Sequence, residues 1–334
     1  MALRGKLREL AIGAVVGALA MAASSQAQAF ESGYPGWSQQ PGITLGGGTA
    51  AMPPPGIYMF DQLFTYQAKL VGPGTAPFPN TIPSHGTLLT NGFIFVPGWT
   101  FLGATYDALI VQPWEKADVG APVNISPSGI HNTFIVPGEL SWKLGDSGFF
   151  IKAGLGMYVP DGTISGPNGL GGVGNPWWTF QPNLVFSYLK DGWNLTANFY
   201  DEINTRNTIT KYQTGDIFHA EFTATKRIDR WTIGPIAYFV GQVTDDKSSA
   251  FYRGAIASNR YSLWAAGALV GYDFGPVQLN VWATDEFSAS VSGGTPILPL
   301  SNTITKGYSV FAQVSYRLWG PEQAAPSPSK LIHK

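Results

Sequence analysis

The stretch WNLTANFYDEIN, residues 193–204, decides the fold. One parity carries Trp193, Leu195, Ala197, Phe199 and Ile203; the other carries Asn194, Thr196, Asn198, Tyr200, Glu202 and Asn204. Successive side chains of an extended strand point to opposite faces, so this strand has one apolar face and one wet face. A tight turn, Lys190-Asp191-Gly192, precedes it. The same alternation recurs in 277–288, where Val277, Leu279, Val281, Ala283 and Phe287 oppose Gln278, Asn280, Thr284 and Glu286. It recurs again in 308–318, where Tyr308, Val310, Ala312, Val314, Tyr316 and Leu318 oppose Ser309, Gln313, Ser315 and Arg317.

Working outward, twelve such runs are expected, at roughly 56–70, 92–101, 105–114, 132–144, 148–159, 177–189, 192–204, 215–227, 231–242, 259–273, 277–288 and 305–319. Short turns at 145–148, 190–192, 229–230 and 274–276 alternate with long Gly/Pro-rich loops near 72–91, 115–130, 160–176, 243–257 and 288–303. Short turns at one end, long loops at the other and an even strand number are the pattern of an all-β, antiparallel transmembrane barrel of the bacterial outer membrane. A soluble β-sandwich also alternates, but its strands average about 5–6 residues, whereas a tilted membrane strand needs about 9–11. The aromatics agree. Trp142, Trp193, Trp231 and Trp319 lie near the short-turn end, and Trp114 and Trp178 near the loop end, as two interfacial belts would. Asp201 and Asp285 fall on the lipid-facing parity, close to the loop end, where a charge costs about 0–1 kcal/mol or a bulge turns it inward.

Residues 1–29 read as an export signal. Arg4, Lys6 and Arg8 precede an apolar 11–23 run, and Ala27-Gln28-Ala29 supplies a small-x-small cleavage site. Residues 30–55, rich in Gly, Pro and Gln, read as a periplasmic segment, either a disordered lead-in or a plug folded into the lumen. The barrel is expected over 56–319, with a flexible tail at 320–334. Only 12% of residues are charged, about half the share in a soluble domain, and 41 glycines with 25 prolines argue against helices. Removing the leader takes the net charge from −1 to −3, so nothing supports nucleic-acid binding. Without cysteines, an exported chain needs another source of stability, and a closed hydrogen-bonded barrel provides one.

The expected lumen wall mixes both signs: Asp107, Glu139, Lys143 and Lys152 in the first half, then Glu202, His219, Glu221, Glu286 and Arg317. Asn183, Asn198 and Tyr200 complete it. A solvated wall of paired charges is one reading and a selectivity ring the other. His219 and Glu221 share a strand face, but one such pair is no metal site, and neither metal nor cofactor is expected. An outer-membrane enzyme would need a nucleophile or carboxylate beside His85, His131 or His219. Ser84 adjoins His85, and Asp118 shares an expected loop with His131. No catalytic residues are assigned. Inward aromatics (Phe150, Tyr158, Tyr200, Tyr238, Trp282 and Phe311) and loop residues such as Phe78, Leu88 and Leu89 either fill space or form a greasy path for hydrophobic solutes.

The segment 47–58, with its Pro53-Pro54-Pro55-Gly56-Ile57-Tyr58 lead into a first strand at 60–70, resembles the start of the family described as "putative MetA-pathway of phenol degradation". Pro97-Gly98-Trp99-Thr100 and the 103–113 strand ending in Gln112-Pro113 are similar to it as well, and the resemblance extends over most of 48–319. It implies an outer-membrane barrel described as a transporter and associated with breakdown of aromatic compounds; it carries no site residues. Tyr316-Arg317-Leu318-Trp319 looks like a terminal-aromatic barrel end, but here 320–334 follow it. The expected function is passive uptake of small molecules, hydrophobic or aromatic ones included, with solute and outer-membrane lipid as partners. A structural barrel whose loops bind a partner stands as the alternative, and oligomeric state stays open.

Overall fold

The computed structural model describes residues 31, 34, 36–166, 171–295 and 300–321. The expected export signal and all but the first two residues of the expected tail lie outside the described residues. Twelve long strands form a closed antiparallel wall. They are β1 (Gly56–Val71), β2 (Pro83–Val96), β4 (Ala104–Val119), β6 (Phe134–Lys143), β7 (Phe149–Tyr158), β8 (Thr179–Lys190), β9 (Trp193–Asn204), β10 (Ile217–Ile228), β11 (Trp231–Gln242), β12 (Arg260–Asp273), β13 (Val277–Ser292) and β14 (Ile304–Trp319). Two short pieces, β3 (Thr100–Phe101) and β5 (Ser128–Ile130), pair with the ends of β4. Each long strand pairs with its sequence neighbour, and β1 pairs with β14 from Ile57↔Trp319 to Val71↔Ile304. Closure leaves no open edge, which a wall in hydrocarbon requires because lipid offers backbone groups no hydrogen bonds.

The outer face is a band of exposed apolar side chains, including Leu63, Phe93, Leu155, Leu184, Phe186, Leu195, Phe222, Ile233 and Val281. Trp193, Trp231 and Trp319 stand exposed at the short-turn rim, and Trp178 at the loop end. Trp142 at the short-turn rim donates its Nε1–H to Leu102 O at 3.1 Å. Trp114 is exposed ten residues above the foot of β4, which continues to Val119. A wall of this kind belongs to the outer membrane of Gram-negative bacteria.

The second strand departs from expectation. It runs from Pro83 to Val96, not over 92–101, so Leu88 and Leu89 belong to a strand and not to a loop. Gly86, inside the stretch expected as a loop, sits mid-strand. Gly92 makes room for a neighbour: a Cβ there would lie 2.1 Å from Cζ of Phe60, its partner on β1. β4 likewise extends five residues past Trp114 into the expected loop.

Two irregularities shape the inner face. Between β4 and β6 and between β6 and β7 the register shifts at Val136-Pro137-Gly138. An extra residue in one strand flips every later side chain to the other face. Val136 and Glu139, three residues apart, therefore both face inward and are both buried. A second shift, between Trp264 and Ala266 opposite Asp285 and Ser288, falls beyond Asp285, which stays exposed on the outer face. Asp201 shows no such shift and is half-buried.

The midpoint of the wall should tolerate charge least. Leu184→Arg, halfway along β8, is expected to cost about 2–4 kcal/mol, and Trp193→Arg at the rim about 0–1 kcal/mol. Equilibrium urea unfolding in lipid vesicles measures both, and equal costs would contradict the assigned membrane level.

Candidate functional site: the lumen and the segment inside it

Residues 36–55 run inside the barrel. The descent begins at Glu31, which lies among the long loops, and ends at Gly56, the foot of β1. The segment has no strand partner, so wall side chains take up its backbone groups. Glu202 accepts the N–H of Ser38 and of Gln39, each at 2.8 Å. Glu221 accepts Gly42 N–H at 2.8 Å, Thr44 N–H at 3.1 Å and the Thr44 hydroxyl at 2.6 Å. Lower down, Thr223 Oγ1 accepts Gly46 N–H at 2.9 Å, and Ser187 Oγ accepts Ala50 N–H at 2.8 Å. In the other direction, Trp282 Nε1–H reaches Gly42 O at 3.1 Å and Gln62 Nε2 reaches Ile43 O at 2.9 Å. Trp37 and Leu45 pack into an apolar cluster with Phe64, Ile217, Tyr238, Tyr261, Leu269, Trp282 and Phe311. The segment therefore leans chiefly on the wall from β8 through β14 to β1.

At the loop end, Glu31 is buried and accepts hydrogen bonds from Asn207 Nδ2 at 2.9 Å, Tyr252 Oη at 2.9 Å and Thr210 Oγ1. Burial pushes its carboxyl up to about 7; these three hydrogen bonds pull the other way, and the charge of Asp246 adds to the rise. Asp246, in the loop between β11 and β12, is raised to about 7 chiefly by its own burial, against bonds from Tyr212, Gly215 and Gln242.

The opposite side of the lumen holds a cavity of about 880 Å³, within the size range of small-molecule pockets. It extends along the wall from Arg317, Tyr316 and Asp273 near the short turns up to Glu115 and His131. Its apolar wall is Phe60, Leu109, Val111, Phe134, Val136 and Val185. Its polar wall includes Asp107, Glu139, Lys152 and Asn183. Lys152 Nζ donates to Glu139 Oε2 at 2.8 Å, and Asn183 Nδ2 donates to Glu139 Oε1 at 2.5 Å.

Each side chain singled out in the sequence now has a place. Asp107, Glu139, Lys152, Asn183, Asn198 and Tyr200 line the cavity. Asn198 also donates to Thr44 Oγ1 at 2.9 Å, and Tyr200 to Glu221 Oε1 at 2.8 Å. Glu202 and Glu221 hold the inner segment instead. Glu286 holds wall to wall, accepting the hydroxyls of Tyr66 at 2.6 Å and Tyr238 at 2.9 Å. Lys143 and Arg317 are exposed at the short-turn rim; Lys143 is 3.5 Å from Asp146, and Arg317 donates to Pro55 O at 2.6 Å. Tyr238, Trp282 and Phe311 pack against the inner segment, so the apolar wall of the cavity falls to other residues. Phe60, Leu109, Phe134 and Val136 were missed in the sequence. Each shares the inward parity of its strand, but the flip at Pro137-Gly138 hides this for Phe134 and Val136.

Among the described residues, His85, His131 and His219 show no hydroxyl nucleophile bonded to the imidazole. His219 is fully buried, stacked on Tyr200 with centroids 4.5 Å apart, with Nε2 at 3.3 Å from Glu202 Oε1. The nearby Ser38 hydroxyl bonds Thr179 Oγ1 at 2.7 Å and not the imidazole. His131 sits between Val173 O at 2.5 Å and Ser38 O at 3.2 Å, with Glu115 at 3.6 Å. His85 is exposed on β2, paired in register with Asp118. Among the described residues, no three His, Asp or Glu side chains group as metal ligands would.

Similarity to known proteins agrees with this architecture. The sequence pattern of the family "Putative MetA-pathway of phenol degradation" matches residues 72–294. The COG4313 outer membrane channel from Pseudomonas putida F1 superposes with a TM-score of 0.64 at 10% identity, over 83% of this chain and 99% of that one. The translocator domain of the autotransporter NalP from Neisseria meningitidis gives 0.46 at 11% identity, over 80% and 90%. The Ralstonia pickettii toluene transporter TbuX gives 0.41 at 9%, over 89% and 99%. No curated protein matches the sequence. A closed twelve-stranded wall of the outer-membrane barrel type, matched over two thirds of its length by one family pattern, makes this chain a member of the "Putative MetA-pathway of phenol degradation" family.

Proposed function

We propose that this barrel carries small, largely apolar molecules, aromatic ones included, passively across the outer membrane, and that residues 31–55 are its plug. The cavity of about 880 Å³ between that segment and the wall carries the reading. One of its sides is built from Phe60, Leu109, Val111, Phe134 and Val136, a surface that favours apolar solutes, and a few polar groups give orientation. The family description, with its mention of phenol degradation, supports the same class of solute. The plug is held by side-chain bonds and not by a sheet ladder, so it can leave without unzipping the wall.

The plug reading gives a direct measurement. In planar bilayers the mature protein should conduct weakly. A Glu202→Ala/Glu221→Ala variant, and a chain beginning at Gly56, should conduct severalfold more. Silence from all three, with insertion verified, would rule out a pore behind the plug and favour a surface-binding barrel.

Docking of Glu31 should also depend on pH. Its carboxyl is raised to about 7 when docked and returns to the ordinary glutamate range when released. A raised acid is stabilised in its protonated form, so docking is strongest below the ordinary glutamate range and weakens as pH rises towards about 7. Asp246 shifts the same way. Amide hydrogen exchange of residues 36–39 should therefore speed up between pH 5 and 8 beyond the intrinsic chemical rate. Glu31→Gln should flatten that excess.

A further inference from the structure

Two lysines meet on the outside of the wall where the barrel closes. Lys69 of β1 and Lys306 of β14 are directly opposite in register, and both lie on the outward parity of their strands. Cβ atoms of directly opposite residues lie about 4.5–5.5 Å apart, and like charges so placed repel. Lys306 gives one of its three N–H donors to Phe287 O, at 2.8 Å. Among the described residues, the Lys69 ammonium has no hydrogen-bond or ion-pair partner. The next outward pair down, Gln67 and Tyr308, is exposed and adds an amide and a hydroxyl to the same patch. Asp285 on β13, also outward, pairs with Tyr308 from the side away from Lys69 and makes no ion pair with Lys306. Lys116, on the outer face of β4 two residues past Trp114, differs from this pair, because Asp118 neutralises it at 3.5 Å.

The height of the patch decides what it meets. Trp319 stands at the short-turn rim, thirteen residues down β14 from Lys306. A strand tilted by about 40° climbs about 2.5 Å per residue along the membrane normal. Lys306 therefore stands about 32 Å above that rim, and Lys69, twelve residues up from Ile57, about 30 Å. The apolar band of such a wall is about 25 Å tall. Both ammoniums lie just past its outer edge, level with the headgroups of the leaflet on the loop side. Below them the outward column turns apolar, through Thr65 and Val310 to Leu63 and Ala312. Donors above an apolar column fit an amphiphile with an anionic head and a hydrocarbon chain.

We propose that Lys69 and Lys306 clamp a phosphate of lipopolysaccharide across the β1–β14 seam, with an acyl chain of the same lipid lying along Val310, Ala312 and Leu63. This lipid forms the outer leaflet of a Gram-negative outer membrane, and its glucosamine disaccharide carries phosphate monoesters. A phosphate between the two ammoniums turns their repulsion into charge-assisted hydrogen bonds, the strong kind. Gln67 and Tyr308 offer neutral donors to the oxygens beside it. The site lies outside the lumen and does not depend on the solute path proposed above. Because the lipid bridges the first strand to the last, its occupancy fastens the closure of the ring.

The test is native mass spectrometry of the mature protein in detergent, titrated with diphosphorylated lipid A, with the same lipid stripped of its phosphates, and with phosphatidylglycerol. The bound fraction gives each Kd. Diphosphorylated lipid A should bind at least about tenfold more tightly than the stripped form, the discrimination expected when two lysines face an anionic lipid. Lys69→Gln/Lys306→Gln should remove that preference, and each single variant should remove part of it. Both side chains point away from the packed interior, and folding is read from heat-modifiable gel mobility; the single variants serve should the double one fail to fold. Lys116→Gln, on the same outer face, should bind lipid A as the native protein does. Equal binding of phosphorylated and stripped lipid, a preference that survives in the folded lysine variants, or an equal loss in Lys116→Gln would overturn the clamp. Phosphatidylglycerol bound as tightly as lipid A would overturn the choice of ligand. Absence of binding by all three lipids would overturn the site and leave the solute path standing.

Discussion

A chain segment inside a barrel lumen has no neighbouring strand, so its amide groups must be met one at a time by side chains of the wall. That constraint accounts for the most unusual chemistry of the molecule. Glu202 and Glu221, almost wholly enclosed, are carboxylates in surroundings where a charge would ordinarily be costly. Each accepts two backbone N–H groups, and Glu221 a hydroxyl besides. Hydrogen bonds to charged acceptors are the strong kind, worth about 1.5–3 kcal/mol each. Buried acids and an irregular, glycine-rich segment are thus two halves of one arrangement.

The wall was far more legible than its contents. Strict alternation in β9, β13 and β14 comes from lipid on one side and polar groups on the other, and that contrast is written in the residues themselves. Towards the loop end the contrast weakens, since polar Thr87 and Lys116 stand exposed on the outward parity of β2 and β4. The signal for those strand ends weakens with it, and the strands outrun the alternation. For residues 30–55 the sequence left a lead-in and a plug in the lumen both open, and the wall partners of 36–55 were not legible. These partners lie 164 residues away at Ser38–Glu202 and 177 away at Thr44–Glu221, and no local pattern encodes pairings of that span.

The candidate site sits between these extremes. Asp107, Glu139, Lys152 and Asn183 were visible as inward polar residues because each obeys the parity of its own strand. Their convergence was not, since it depends on the extra residue in β6 and on the missing side chain at Gly154, where a Cβ would lie 2.5 Å from Glu139 Cγ. The sharpest chemical feature of the lumen is thus made by a register fault and an absence. Parity alone, run through 134–143 without the fault, cannot turn Val136 and Glu139 to the same face.

The interior position of residues 31–55 also bears on how the molecule is put together. These residues leave the ribosome before any strand, yet beside early partners such as Gln62 of β1 and Ser141 of β6 they bond strands synthesised late, through Glu202 of β9, Glu221 and Thr223 of β10 and Trp282 of β13. Once β1 has sealed against β14 the wall is a ring, and a segment outside it would have to thread through a lumen already crowded by Trp282, Tyr238 and Phe311. The simplest order of assembly has the segment in place before the seam closes, so that late strands wrap around it as around a mandrel. The seam would then be the final event. Pairings of such sequence separation are intrinsically slow to form, and the segment that lies in the finished lumen would serve, during biogenesis, as the template that fixes its bore.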